Sequence, residues 1–283
     1  MTDSPHDNPT DPFDDDHDHD AGDFGEPSNP AEHSIQVNFG RPMPLFPLDQ
    51  VALLPQQVLP MHIFEPRYRQ MVENVLDTNG QFALATFEGN DWKDQYHALP
   101  PIKPAVCIAH IVQHEKLPDG RYNIIVQGIC RARILRELPV RDRREPDEPG
   151  YGEPGVLYRE AILEPVGIEP PLNQDEHQDL AEIRSKLDDL LSSGPLVRMN
   201  IAGSLLDYVR NGEIPMTAVL ELVAFSLVQP QTLRYRLLEE PAALERANLI
   251  LHELDHLSRL ITKAQTQHDA VAGAKLPKGC TWN

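Results

Sequence analysis

The sequence has few cysteines, no long hydrophobic run and no positive charge in its first 40 residues. Its three cysteines, Cys107, Cys130 and Cys280, include no C-x-x-C pair, which favours a reducing compartment over a disulfide framework. We expect Cys107 and Cys130, which lie in apolar runs, to be reduced and buried. No apolar run reaches about 18 residues and no signal-peptide pattern is visible, so the sequence predicts a cytoplasmic protein without a membrane span.

Negative charge is unevenly distributed along the chain. Of the formal net charge of −19, residues 1–40 carry −11, from 11 acidic residues and no Lys or Arg, and the remainder carries −8. A segment of this composition cannot bury enough apolar surface to offset its ordering entropy, so we predict that residues 1–40 form a disordered acidic tail. The acidic balance also disfavours nucleic acids and anionic membranes as partners.

Residues 41–170 have the pattern of a β-rich domain with one early helix. Short apolar runs punctuated by proline predict strands up to residue 64, and apolar residues at helical spacing predict a helix within residues 65–78. Further strands are predicted at residues 81–87 and 156–166. Two long apolar runs joined at "LPDG" predict a β-hairpin, because glycine accepts the positive φ that such turns require. Residues 139–155 have the composition of a solvated loop.

Residues 171–265 have a helical period throughout and predict a helical domain, with a flexible tail at residues 266–283. Glycine and proline breaks divide the segment into separate helices. The predicted helices span residues 174–192, about 196–210, 215–228, 230–239 and 241–265.

Three stretches carry a family signature: "PLFPLDQVALLPQQVLPMHIFEPRYRQMV" (44–72), "HIVQHEKLPDGRYNIIVQGICRARI" (110–134) and, less specifically, "VQPQTLRYRLLEEPAALERANLILHEL" (228–254). Together they resemble the substrate-binding, N-terminal domain of Lon proteases. The motif positions, which we interpret as mainly structural, are Pro60, His62, Phe64, Glu65, Pro66, Arg67, Tyr68, Arg69, Pro118, Asp119, Gly120, Gly128 and Arg131.

The resemblance implies an α+β fold, namely a six-stranded PUA-like β pseudo-barrel with an inserted helix, followed by an α-helical bundle domain. It also implies a non-catalytic module that binds unfolded or tagged polypeptides, acting as an adaptor or chaperone beside a protease or chaperone partner. The chain contains no Gly-Lys dipeptide and so no P-loop for ATP. We therefore expect a standalone recognition module with no cofactor and no metal. Nothing in the sequence assigns its oligomeric state or its binding residues.

The first motif also has an account from its residues alone. Met61 and Ile63 should share one face of a strand, with His62 and Phe64 on the other. His62 could be a ligand or a catalytic base, but the favoured interpretation is a structural histidine held by Glu65 or by a backbone carbonyl. For Glu65, Arg67 and Arg69 we favour helix capping and ion pairing over substrate contact. Tyr68 is predicted to anchor the core.

A second hypothesis is a zinc metalloprotease, because residues 252–256 read HELDH. In this pattern His252 and His256 would bind zinc and Glu253 would act as general base. A catalytic zinc needs a third protein ligand, and the extended motif would require Gly at 259 and His at 262, where the chain has Arg259 and Thr262. We therefore interpret the pair of histidines as the exposed side of the last helix.

A third hypothesis is RNA binding, since PUA-like barrels elsewhere bind RNA. The arginines that could contact phosphates are Arg131, Arg133, Arg136, Arg141, Arg143 and Arg144. Acidic residues are interspersed among them and no aromatic stacking platform is nearby, so a solvated strand edge and loop is the favoured interpretation. For polypeptides we expect either a cleft between the two domains or an unprotected barrel edge as the binding surface.

Overall fold

The computed structural model describes residues 35–89, 91–93, 99–139, 155–167 and 173–273. Residues 1–34 of the predicted tail, 140–154 of the predicted loop and 274–283 at the C-terminus lie outside them. Six strands within residues 43–166 form a single sheet. They are β1 (Met43–Leu48), β2 (Val58–Ile63), β3 (Gln81–Thr86), β4 (Ala105–Lys116), β5 (Tyr122–Glu137) and β6 (Arg159–Val166).

The sheet closes on itself as a barrel. Its strand order is β2-β5-β4-β3-β1-β6, and β5 also pairs with β6, so five strands form a ring to which β2 is attached. Every pairing is antiparallel except that of β1 with β3. The length of β5 makes this possible, because residues 122–127 pair with β2 and residues 131–137 pair with β6.

Gly128 lies where β5 passes from β2 to β6. Its amide donates to the carbonyl of Gln57, at 2.9 Å, and its carbonyl accepts from the amide of Gln56, at 2.8 Å. A Cβ at this position would lie 2.3 Å from the carbonyl oxygen of Leu54. Only glycine permits so close an approach of two backbones, which explains why this position in the strand has no side chain.

The predicted hairpin joins β4 to β5 through residues 117–121. The amide of Gly120 donates to the carbonyl of Leu117, at 2.9 Å, and the amide of Leu117 donates to the carbonyl of Arg121, at 2.8 Å. Gly120 has a φ of 80°, in the left-handed region that glycine adopts without strain. The prediction made from the Asp-Gly pair is therefore confirmed.

One helix is inserted between β2 and β3, and the rest follow β6. The predicted helix at 196–210 is divided, because Met199 has extended backbone (φ −75°, ψ 133°) and so ends a 3₁₀ turn, Pro195–Arg198, before the next helix. The last helix continues to Gly273 instead of ending at residue 265. The helices are α1 (Pro66–Leu76), α2 (Gln174–Ser193), α3 (Ala202–Arg210), α4 (Met216–Leu227), α5 (Gln231–Glu239) and α6 (Ala243–Gly273).

Barrel and helices share one hydrophobic core. Alternate residues of the ring strands form a small cluster of their own, with Leu45 and Ala83 among its members. Their neighbours Phe46 and Leu84 belong to the large cluster that also contains the buried faces of α1 to α6. All six residues of β3 are buried, as expected of a strand covered on both faces. The predicted α+β class, a six-stranded pseudo-barrel with an inserted helix followed by helices, is confirmed.

The two cysteines on neighbouring strands differ in burial. Cys107 on β4 is fully buried, as predicted, whereas Cys130 on β5 is only half-buried, contrary to the prediction. The difference arises because Cys107 belongs to the large core, while Cys130 lies at the margin of the smaller cluster. Both thiols are free.

Candidate functional site

The barrel is open along part of one side. On β1, the strand β6 pairs with residues 43–45 but not with residues 46–48. Next to β6, the same edge of β5 pairs with β2. The other edge of β2 pairs with no strand among the described residues. The open edge of β2 and residues 46–48 of β1 therefore form the two sides of a gap, where a further strand would be needed to complete the barrel.

A groove of about 460 Å³ occupies this gap, and we call it the seam groove. Its lining is predominantly apolar. Phe46, Ile63 and Tyr68 form a buried floor, with the rings of Phe46 and Tyr68 only 4.2 Å apart between centroids. The residues that line it are 46–49, Val51, 59–65, Tyr68, Phe87 and Trp92.

Two aromatic groups border the seam groove. Phe64 is 60% exposed at the end of β2, and its ring stacks on the imidazole of His62 at 6.3 Å between centroids. Trp92 stacks on Phe87 at 4.8 Å, and its indole N–H donates to the carboxylate of Asp49 at 3.1 Å. An exposed aromatic ring beside an apolar groove is typical of a surface that binds another molecule.

His62 is an exposed residue with two side-chain partners. Its Nδ1 lies 2.8 Å from the side-chain oxygen of Asn123 on β5, and its Nε2 lies 3.3 Å from the guanidinium of Arg121. These partners differ from the predicted Glu65 or backbone carbonyl. Pro60, His62 and Phe64 are exposed while Met61 and Ile63 face inward, as the alternation of the strand predicts.

The Glu65-Pro66-Arg67 sequence builds the start of α1. Glu65 is the N-cap residue and Pro66 the first helical residue, where proline is well tolerated. The carbonyl of Glu65 accepts from the amides of Tyr68 and Arg69. Its carboxylate makes no capping bond and instead accepts from Arg67 at 3.0 Å, so the predicted capping role falls to the backbone alone.

The remaining motif residues join α1 to the hairpin. The guanidinium of Arg69 donates weakly, at 3.4 Å, to the carbonyl of Asp119, which follows Pro118 in the turn, and it lies against Gly120. The carboxylate of Asp119 accepts from Arg121, and this contact lowers the pKa of Asp119. These positions shape the turn that carries Arg121, one of the two partners of His62.

The arginine cluster does not form one surface. Arg131 is 7% exposed and bonded to Glu221 of α4, so it is inaccessible to a phosphate backbone. Arg133 lies 3.6 Å from the carboxylate of Glu164, and Arg136 is exposed. Arg141, Arg143 and Arg144 lie outside the described residues.

The HELDH motif lies on the outer side of α6. His252 and His256 are exposed, and the carboxylate of Glu253 lies 3.9 Å from the imidazole of His256. The buried face of the helix is formed by other residues, with Ala247, Ile250 and Leu254 in the core. Within the part of the chain that the structure describes, no three His, Cys, Asp or Glu side chains come together in an arrangement able to hold a metal ion.

Hydrogen bonds cross the interface between barrel and helices. Arg131 on β5 donates to the backbone carbonyl of Leu237 on α5, and the amide of Ala105 on β4 donates to the hydroxyl of Tyr235 at 2.9 Å. A pocket of about 330 Å³ remains between the strands and α5, and Gln, Thr and Lys side chains form much of its wall. The groove with the more apolar lining is the one at the barrel seam.

No binding role is assigned to the groove residues from the sequence, and those that belong to the family motif are interpreted as mainly structural. One signal was present, since Phe64 was predicted to lie on the outer face with His62. A second was the proline within each bordering strand, Pro47 and Pro60, because proline in a sheet indicates an edge.

None of the helices among the described residues is both long enough and apolar enough to cross a membrane.

Comparison with known proteins agrees with this architecture. The family described as the ATP-dependent protease La (LON) substrate-binding domain matches residues 42–256. The Lon protease of Trichlorobacter lovleyi is 30% identical over 109 residues, covering 38% of this chain and 13% of that protein. The Lon protease of Brucella suis is 27% identical over 164 residues, covering 56% and 20%. The chain thus spans a fifth or less of these relatives.

Among solved structures, the N-terminal domain of the Mycobacterium avium complex Lon protease superposes with a TM-score of 0.54 at 17% identity. The match covers 76% of this chain and 98% of that domain, and at this identity it shows the fold. The family match covers most of the chain and includes all the signature residues of β2, α1 and the hairpin. The chain belongs to the Lon substrate-binding domain family.

Proposed function

We propose that this chain is a non-catalytic recognition module, which binds unfolded or tagged polypeptides in the seam groove. The observation that carries the proposal is the apolar groove itself, open to solvent and bordered by the 60% exposed ring of Phe64. Burial of apolar surface is the main favourable contribution to most protein associations, and it does not require a defined client sequence. Family membership supports the same role, since the family is described as substrate-binding.

The chemistry of the groove favours weak and degenerate binding. Its lining supplies apolar contacts and few polar groups that could specify a ligand, and an unfolded client loses conformational entropy when it is ordered. Such a module suits an adaptor or a chaperone that passes clients to a protease or chaperone partner in the cytosol. In that role the chain would select polypeptides and leave their cleavage to the partner.

The test is binding of a permanently unfolded chain, such as reduced and carboxymethylated α-lactalbumin, followed by fluorescence anisotropy. We expect Phe64→Ala to weaken binding by about fivefold to tenfold, because truncation removes part of the apolar area buried in the complex. Leu260→Ala is the matched control, since Leu260 is 49% exposed on α6, away from the groove, and should change the affinity less than twofold. Equal effects of the two substitutions, or no binding by the parent chain, would overturn the proposal.

A further inference from the structure

The seam groove meets its two bordering strands at their backbone edges. Side chains of a strand alternate between two faces, so a pocket against one face is lined by every second residue. Here consecutive residues line the groove on both sides, namely residues 46–49 of β1 and the following loop, and residues 59–63 of β2. Both sets of alternating side chains therefore border the groove, and the backbone between them faces it.

The proline in β2 fixes which backbone groups face the groove. Pro60 pairs with Ile125 but has no N–H to donate to β5. Its nitrogen therefore points away from β5. In an extended strand the nitrogen and carbonyl of one residue point to the same side, and residues two apart repeat this orientation. Pro60 thus presents a carbonyl to the groove, and His62 presents both an N–H and a carbonyl.

We propose that the occupant of the seam groove is an extended polypeptide segment that pairs with β2 as an additional strand. This inference rests on the proposed function and specifies its mode of recognition. The segment would lie in the gap between β2 and residues 46–48 of β1 and would pair with β2 alone. Its amides would donate to the carbonyls of Pro60 and His62, and alternate side chains would enter the apolar floor.

Charge favours a segment with basic flanks. Asp49 and Glu65 line the groove, and no Lys or Arg side chain is among the lining residues that the structure describes. Glu65 is paired with Arg67, but Asp49 accepts from the neutral indole of Trp92, so that contact leaves its negative charge unbalanced. Beyond residue 40 the chain also carries a net charge of −8. Lysines at the ends of the segment should strengthen binding and make it sensitive to salt.

The deciding experiment is a scan of backbone N-methylation on a fluorescein-labelled heptapeptide with leucine at alternating positions and lysine at both ends. N-methylation removes one donor at a time and blocks strand pairing at that residue. Because only every second amide of an added strand faces β2, we expect two amides two residues apart to show losses of tenfold or more. Methylation of the amide between them should change the affinity less than twofold.

A protein variant gives a second measurement. His62→Pro removes the N–H that faces the groove and should weaken peptide binding about fivefold relative to His62→Ala, which removes only the side chain. Thermal unfolding of both variants shows whether they remain folded. If His62→Pro does not fold, the methylation scan alone decides the question.

The outcomes separate this inference from the proposed function. A peptide that binds with no alternation in the scan would overturn strand addition and leave polypeptide binding in the groove standing. A peptide that fails to bind at all would overturn the inference, and binding of the unfolded α-lactalbumin would then decide the proposed function separately. Concentration-dependent self-association that is abolished by His62→Pro would identify a second copy of this chain as the occupant, and would also overturn the inference.

Discussion

Arg131 on β5 and Glu221 on α4 form an ion pair of 2.8 Å in which the two side chains are 7% and 8% exposed. Glu221 also lies 3.6 Å from the guanidinium of Arg246 on α6, so one carboxylate faces two buried arginines. The network joins the barrel to the helices. Since a buried charge without its partner is strongly destabilising, loss of this carboxylate should weaken the packing of the helices on the barrel.

Replacement of the central carboxylate should destabilise the whole structure. Glu221→Gln keeps the shape of the side chain but removes the negative charge that the buried Arg131 and Arg246 face. We expect the free energy of unfolding to fall by about 3–5 kcal/mol, measured by urea denaturation. Asp188→Asn is the control, because Asp188 pairs with Arg210 at the surface and should contribute little. Similar losses in both variants would contradict this account.

A neutral hydrogen bond crosses the same interface. The hydroxyl of Tyr235 on α5 accepts from the buried amide of Ala105, and burial raises the pKa of Tyr235 to about 12. Tyr235→Phe leaves that amide without its acceptor and should lower the free energy of unfolding by about 1–3 kcal/mol. Tyr208→Phe, at a position 47% exposed on α3, should be nearly neutral in the same denaturation experiment. A neutral Tyr235→Phe would show that water replaces the lost acceptor.

Gly128 should tolerate no side chain. In Gly128→Ala the new Cβ would meet the carbonyl oxygen of Leu54 at 2.3 Å, and relief of the clash must separate β5 from the loop before β2. We expect a loss of stability of about 3 kcal/mol or more, seen as a lower Tm.

Gly203→Ala is the matched control for Gly128. Gly203 lies within α3, and a Cβ there would have no neighbour within 4 Å. Alanine is the better helix former, so this variant should gain about 0.5–1 kcal/mol. A loss of similar size at Gly203 would contradict this account, because it could not come from a close approach of the kind found at Leu54.

The cysteine thiols should react slowly in the folded protein. Burial raises the pKa of Cys107 and raises that of Cys130 to about 11. The thiolate is the reactive form, so at pH 8 both should resist Ellman's reagent until the chain unfolds, with Cys130 the faster of the two. The measurement uses a Cys280→Ser background. Fast modification of either thiol under native conditions would contradict the burial that the structure describes.

The raised pKa values of the same two thiols also make the free energy of unfolding depend on pH. Their folded pKa values lie above the value in the unfolded chain, so their contribution is fully present below about pH 8.5. As pH rises towards 11 the unfolded chain loses protons first, and the free energy of unfolding should fall. Cys130→Ser should make this decline shallower in urea titrations at pH 8 and pH 10. An unchanged slope would show that Cys130 does not contribute to it.

Local sequence chemistry predicted most secondary structure correctly. Pro66 marked the first residue of α1, and Asp119-Gly120 marked the hairpin, because each constrains φ at its own position. The helical period predicted α2, α4 and α5 to within two residues at each end. It failed at Met199, where packing of Leu196 and Ala202 into the core interrupts the helix. A tertiary constraint of that kind leaves no trace in the local pattern.

The candidate site could not be predicted from the sequence, for a related reason. The groove depends on which part of β1 is left unpaired by β6. The register between these two strands decides that, and they are more than 100 residues apart in sequence, as the pairing of Met43 with Ala161 shows. A shift of this register would change which residues of β1 are left unpaired. Arg131 is a second example, because it belonged to a basic cluster in the sequence and only the fold placed Glu221 against it.

The sequence by itself determined the helices, the hairpin, the order of strands and helices along the chain, and membership of the Lon substrate-binding domain family. These follow from hydrophobic periodicity and turn chemistry, which act between residues a few positions apart. Only the tertiary structure decided that one edge of the barrel stays open beside an apolar floor, and that a buried carboxylate joins barrel to helices. Both depend on contacts between distant segments, whose geometry is fixed when the whole core packs together.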